Sequence, residues 1–148
     1  DHLYVGSAST DEVLRFQGPL VEFPNIPGDL IDTFIPAGSG GLDEPRGLTF
    51  NNDGYLYIAS KLSSQVLRYD GATGVFVDRY VDADSGLSAP IKTIFDADGN
   101  LLVSGRDTHN VQRYGRSSQA ALTLSLSTPS GLPVTLQYQT VDGTASSH

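Results

Sequence analysis

The residues of this chain best equipped for chemistry stand together at Arg106, Asp107 and His109, in the stretch RDTHN. An imidazole titrates near neutrality, so His109 could move a proton while Asp107 orients its ring. No third partner for the pair is identifiable from sequence, and a solvated turn accounts for the same three residues. The other imidazoles, His2 and His148, sit at the chain ends. No residue is assigned a catalytic role. A second group, Asp96, Asp98 and Asn100 in DADGN, places oxygens at alternate positions, as calcium ligands are placed. The calcium-loop template fails, because Leu101 stands where its glycine is required and Asp107 where its final glutamate is required. Asp96 and Asp98 therefore remain the only metal candidates, calcium the only ion entertained, and no cofactor is expected. A third set recurs along the chain: Arg15, Arg68 and Arg113 at one spacing, and Asp32 and Asp78 at another. Cross-strand ion pairs of roughly 0.2–1 kcal/mol each explain this recurrence better than a ligand does.

These residues are positioned by a repeat. The stretches NNDGYLYIAS at 51–60 and DADGNLLVSG at 96–105 begin 45 residues apart. Their alignment extends over 41–71 and 86–115, keeping Leu42/Leu87, Pro45/Pro90, Phe50/Phe95, Gly54/Gly99, Leu56/Leu101, Val66/Val111, Arg68/Arg113 and Tyr69/Tyr114 in register. An incomplete first copy runs from Leu3-Tyr4-Val5 through Arg15-Phe16, offset by 53 residues, which locates an insertion in the segment 19–28. Apolar runs of Val, Ile, Leu, Tyr and Phe alternate with Gly, Asp, Asn and Ser clusters, and no helical period is sustained. With 16 Gly and 8 Pro in 148 residues, the composition favours an all-β domain. The complete copy predicts strands at 46–50, 55–59, 65–69 and 75–81, with turns at Asn52-Asp53-Gly54 and Gly71-Ala72-Thr73-Gly74. Four antiparallel strands per repeat of this length describe one blade of a β-propeller. The recurring Tyr4, Tyr57, Tyr69, Tyr80 and Tyr114 fall at strand positions and are read as packing residues.

The run PRGLTFNNDGYLYIAS followed by QVLRYDGATGVF resembles the NHL-type repeats of bacterial extracellular propellers, over residues 1 to about 115. The resemblance joins a Pro-x-Gly opening, an Asp-Gly turn and a Val-Leu-Arg-Tyr strand in that order. The third copy departs from it at Ile91-Lys92, where Arg46-Gly47 is the pattern, and at Gln112 in place of Leu. Residues 116–148 break the repeat; strands at 121–127 and 134–140 with Val141-Asp142-Gly143-Thr144-Ala145 resemble the opening hairpin of a Calx-β domain. The alternative is that this hairpin completes the last blade.

Blade breaks fall near 42 and 87, so the chain supplies about 2.5 to 3 blades: the first copy lacks its innermost strand, the second has four, and the third has three. Such an array is open, since a propeller generally needs about four to eight blades to protect its edges. Three solutions remain: a piece of a longer propeller, a head-to-tail dimer closing a six-bladed ring, or an edge capped by the terminal hairpin. The dimer is favoured, because a heterologous contact closes when the rotation per unit divides the circle.

In such an architecture the link into strand one and the turn between strands two and three share one face. That face would carry Asp43, Glu44, Arg46, Lys61 and the following turn, and Arg106, Asp107 and His109; of these, Arg46, Lys61, Arg106, Asp107 and His109 are the binding candidates. Seventeen acidic against nine basic residues, the basic ones dispersed, argue against a nucleic-acid partner. No apolar stretch long enough for membrane insertion exists, and the absence of Cys removes thiolate chemistry. The start at Asp1, the lack of Met and the resemblance together point to a processed or excised chain of a secreted or cell-surface bacterial protein. The expected function is a non-enzymatic binding or scaffold module contacting protein or glycan. Two rivals stand: a metal-assisted lyase or hydrolase, which the resemblance implies, and a structural subunit that closes a homo-oligomeric ring by exchanging strands or blades.

Overall fold

A computed structural model describes residues 2–19 and 26–115. All regular structure within them is β-strand apart from two short 3-10 turns, Ser39–Gly41 and Ala83–Ser85. The strands are β1 (His2–Ser7), β2 (Glu12–Gln17), β3 (Leu30–Ile35), β4 (Pro45–Phe50), β5 (Tyr55–Ser60), β6 (Gln65–Asp70), β7 (Phe76–Val81), β8 (Pro90–Phe95), β9 (Leu101–Gly105) and β10 (Asn110–Tyr114). They form three antiparallel sheets in sequential order: sheet I is β1-β2-β3, sheet II is β4-β5-β6-β7, and sheet III is β8-β9-β10. The all-β expectation holds, and so does the uneven count of three, four and three strands. Among the described residues sheet I has no counterpart of β4, and sheet III none of β7.

Strand boundaries lie close to those predicted. The first strand of sheet II begins at Pro45, one residue early, with a register shift between Pro45 and Leu48. Its last strand begins at Phe76 rather than residue 75, because the Val75 carbonyl closes the preceding turn by accepting from Asp70 N at 2.8 Å. Gly54 and Gly74, in the predicted turns, have φ of 86° and 73°, where a side chain would be strained.

Sheet II separates two cores because its strands alternate sides with period two. Leu56, Ile58, Leu67 and Tyr69 pack with Val13, Phe34 and Ile35 of sheet I. Tyr57, Val66 and Val81 pack with Leu101 and Val103 of sheet III and with Leu87 in the link before it. The tyrosines serve packing, as predicted: Tyr57 and Tyr69 are buried, and Tyr4, Tyr80 and Tyr114 border the cores. Tyr57 meets Tyr80 and Phe95 edge-on at 5.0 and 4.8 Å between centroids. Strand β8 crosses so near β4 that a Cβ on Gly47 would lie 2.8 Å from the Ile91 carbonyl oxygen and 2.9 Å from Thr93 N. Beside that contact, Thr49 Oγ1 donates to the Thr93 carbonyl at 2.6 Å.

The chain divides between Ser117 and Ser118, and every strand above belongs to the N-terminal unit. The Calx-β-like hairpin of 121–127 and 134–140, and most of the insertion at 19–28, lie outside the described residues. Among the described residues no helix is long and apolar enough to cross a membrane.

Candidate functional site

The predicted meeting of the link into strand one with the turn between strands two and three is realised by backbone hydrogen bonds. Lys61 N donates to the Glu44 carbonyl at 3.2 Å and Leu62 N to that of Asp43 at 3.3 Å; one repeat later, Arg106 N donates to the Ala89 carbonyl at 3.0 Å. Around these links the backbone turns left-handed without glycine. Asp11, Ser64 and His109 have φ of 55°, 56° and 53°, and Glu44 and Ala89 have 52° and 47°. The first three stand 53 and 45 residues apart and the other two 45 apart, so they fill two columns of the repeat. Left-handed residues bearing a Cβ are uncommon and persist only where surroundings over-determine them.

The surroundings here are hydrogen bonds and charge. Asp11 Oδ1 accepts from Glu44 N at 2.7 Å, tying the β1–β2 turn to the link into sheet II. The Glu44 carboxylate takes both its oxygens to Lys61 Nζ at 2.7 Å and also accepts from Arg46. The hydrogen bond from Lys61, and then that from Arg46, hold Glu44 below its ordinary pKa. Two predicted binding residues, Arg46 and Lys61, are thus joined through an acid that the sequence had placed only as a neighbour. Below them, Ser60 Oγ accepts from Asp43 N at 2.9 Å and lies 2.6 Å from Ser63 Oγ. The same column in sheet I pairs Thr10 Oγ1 with Ser7 Oγ at 2.6 Å. In sheet III the strand residue of that column is Gly105, so Thr108 Oγ1 is buried with no hydrogen-bond partner among the described residues.

The remaining predicted trio sits on the third turn of this face without the arrangement that proton transfer would use. His109 Nδ1 lies 3.1 Å from the backbone carbonyl of Asp107, not from its carboxylate. Asp107 Oδ1 is 3.9 Å from Arg106 Nε, and both side chains are well exposed. The carboxylate that sequence reasoning offered as orienter is turned to the arginine, and the carbonyl orients the ring instead.

At the rim of the same face lies a shallow, open cleft of about 520 Å³ lined by Ser63, Gln65, Arg79, Asp82 and Asp84 beside Gly41. Arg79 is exposed and has no ion pair among the described residues. Arg79, Gln65, Asp82 and Asp84 were missed from sequence. Asp11 was missed as well, although its column could have been read: it aligns with Ser64 and His109 at the last position of each turn.

The recurrent charges behave as the ion-pair reading predicts in two sheets. Arg15 pairs in register with Asp32, and Arg68 with Asp78, each through Nε at 3.0 Å and through Nη2 as a second bond. Arg68 also lies over Tyr55 at 4.8 Å and Tyr80 at 5.6 Å. Burial is the largest single influence and works against this charge, but the hydrogen bonds and charges of Asp78 and Tyr57 together outweigh it and raise the Arg68 pKa. Burial, aided by the hydrogen bond to Asp53, pushes Tyr57 up to about 12. Among the described residues Arg113 has no fourth strand beside it in sheet III. It turns to the preceding turn and reaches Asp96 Oδ2 at 3.1 Å and Asp98 Oδ2 at 3.3 Å. Asp96 also accepts from Asn100 and from Asp98 N, and the Asn100 bonds lead in holding its pKa down. The two metal candidates therefore share an arginine, and a cation there would have to displace the guanidinium. Among the described residues no three His, Cys, Asp or Glu side chains converge in a metal-binding group.

No protein-family model matches the chain, and no curated protein is significantly similar to it.

Proposed function

We propose that the chain is a non-enzymatic binding module whose three sheets are β-propeller blades of the NHL type, and that its turn face receives a ligand, in a secreted or surface-exposed bacterial protein. One observation carries the reading. Five left-handed non-glycine residues fall in two repeat columns on that face, yet the side chains in those columns differ from copy to copy: Asp11, Ser64, His109 in one and Glu44, Ala89 in the other. A backbone frame held constant under variable side chains is the arrangement of recognition loops on a rigid scaffold. The cleft beside this frame favours a glycan over an apolar ligand. Arg79 and Gln65 supply donors while Asp82 and Asp84 supply acceptors, and sugar hydroxyls need both.

The test is a glycan array probed with the labelled full chain, followed by Arg79→Ala and Asp82→Ala on the retained sugars. Expected is binding that each substitution weakens by about tenfold, the scale of one lost charge-assisted hydrogen bond. An array that retains nothing, or binding indifferent to both substitutions, overturns the reading.

A further inference from the structure

The two outer faces of the three-sheet array carry side chains that the repeat buries everywhere else. On sheet I, Leu3 and Val5 stand opposite Phe16 and Leu14 and so share a face with them, turned away from sheet II. Their repeat equivalents are Leu56 and Ile58 in sheet II and Leu101 and Val103 in sheet III. Those four are 0% exposed, whereas Leu3 is 56% and Val5 41% exposed. The opposite faces tell the same story. Val13 of sheet I and Val66 of sheet II receive the next sheet and are 0% exposed, while their equivalent in sheet III, Val111, is 65% exposed. Around Val111, with Ile94, Leu102, Lys92 and Ser104, lies an open depression of about 330 Å³ whose walls are almost wholly apolar. One end of the array is therefore the receiving half of a junction already built twice inside the molecule, and the other end is the inserting half.

What occupies the receiving half is specified by two departures from the repeat. At the junction of sheets II and III, β4 admits β8 through Gly47, where a Cβ would strike backbone, and binds it through the Thr49 hydroxyl. The equivalents on β8 are Lys92 and Ile94. Lys92 puts a side chain where an incoming inner strand would need none, and Ile94 offers no donor to such a strand. A complete four-stranded sheet would therefore be refused. Sheet I presents no inner strand among the described residues, and its inserting face bears the side chains that the apolar depression fits.

We infer that sheet III of one copy receives sheet I of a second copy, head to tail, with Leu3 and Val5 of that copy seated against Ile94, Leu102 and Val111. The contact is heterologous, and two of them related by a twofold axis close a pair of copies and cover the outer faces of both sheet I and sheet III.

Sedimentation equilibrium on the full chain tests this. The expected mass is twice the 15.7 kDa of one chain. Val111→Glu and Leu3→Glu, both at sites exposed in a single copy, should each retain the wild-type circular dichroism and raise the dissociation constant by about tenfold or more. Because each variant keeps one face intact, mixing the two should restore pairs that neither forms alone. A chain that stays monomeric at millimolar concentration overturns the inference, whether Val111 is then bare or covered by residues 116–148. A dimer unaffected by either substitution, or variants that fail to complement each other, also overturns it.

Discussion

Glu44 is the residue on which the turn face depends most. It is left-handed in backbone, its amide is held by Asp11, and its carboxylate joins Lys61 to Arg46. Since the folded chain holds this carboxylate below its ordinary value of 4.5, its contribution to stability is complete above that pH. The contribution is lost as pH falls through the folded value, because the unfolded chain binds the proton first. Thermal melting followed from neutral pH to below pH 4.5 should therefore fall more steeply for wild type than for Glu44→Gln. Parallel curves would show that the ion pairs do not contribute. A residual slope is expected in the variant, as Asp70 and Asp96 are also held low, chiefly by hydrogen bonds from Thr73 and Asn100. At this scale the sequence showed the partners but not the joints. Recurrent Arg and Asp spacings predicted the Arg15–Asp32 and Arg68–Asp78 pairs, since a strand pair translates spacing into register. Arg113 departed from the rule because, among the described residues, its sheet has no fourth strand to supply the acid, and the guanidinium reaches the carboxylates of the turn between β8 and β9. The repeat aligns these positions, but their left-handed backbone was invisible for a different reason: Asp, Ser, His, Glu and Ala have no common signature for positive φ.

Strands were the most legible elements, because turn residues punctuate short apolar runs and a repeat supplies each boundary more than once. What the pattern could not convey was the distance between strands of neighbouring sheets. Gly47 reads as one more glycine in a glycine-rich chain, yet β8 passes it too closely for a Cβ. Gly47→Ala should therefore destabilise the fold by about 1–3 kcal/mol, the scale of overpacking against backbone that cannot withdraw. Lys92→Ala, at the equivalent position on the open face, should leave the stability of a single copy within about 0.5 kcal/mol of wild type. Urea unfolding of the two variants under dilute conditions checks both; a Gly47→Ala chain as stable as wild type would mean that the strands separate at little cost.

Across the whole molecule, the arrangement of two cores about one central sheet makes the outer sheets depend on sheet II more than on each other. Leu67→Ala, in the first core, and Leu101→Ala, in the second, each remove a fully buried leucine and should cost about 2–5 kcal/mol. Their effects should differ in extent. Hydrogen exchange should show Leu101→Ala loosening sheet III while sheet I keeps its protection, and Leu67→Ala loosening all three sheets together. Uniform loss of protection in both variants would instead make the array a single cooperative body.

The lysine at position 92 then has a meaning that reaches past its own sheet. Where the repeat writes glycine, at Gly47, the inner strand of the next sheet lies against bare backbone; where it writes lysine, at Lys92, the same approach meets a side chain. One position of the repeat thus works as punctuation, left open in sheet II and filled in sheet III.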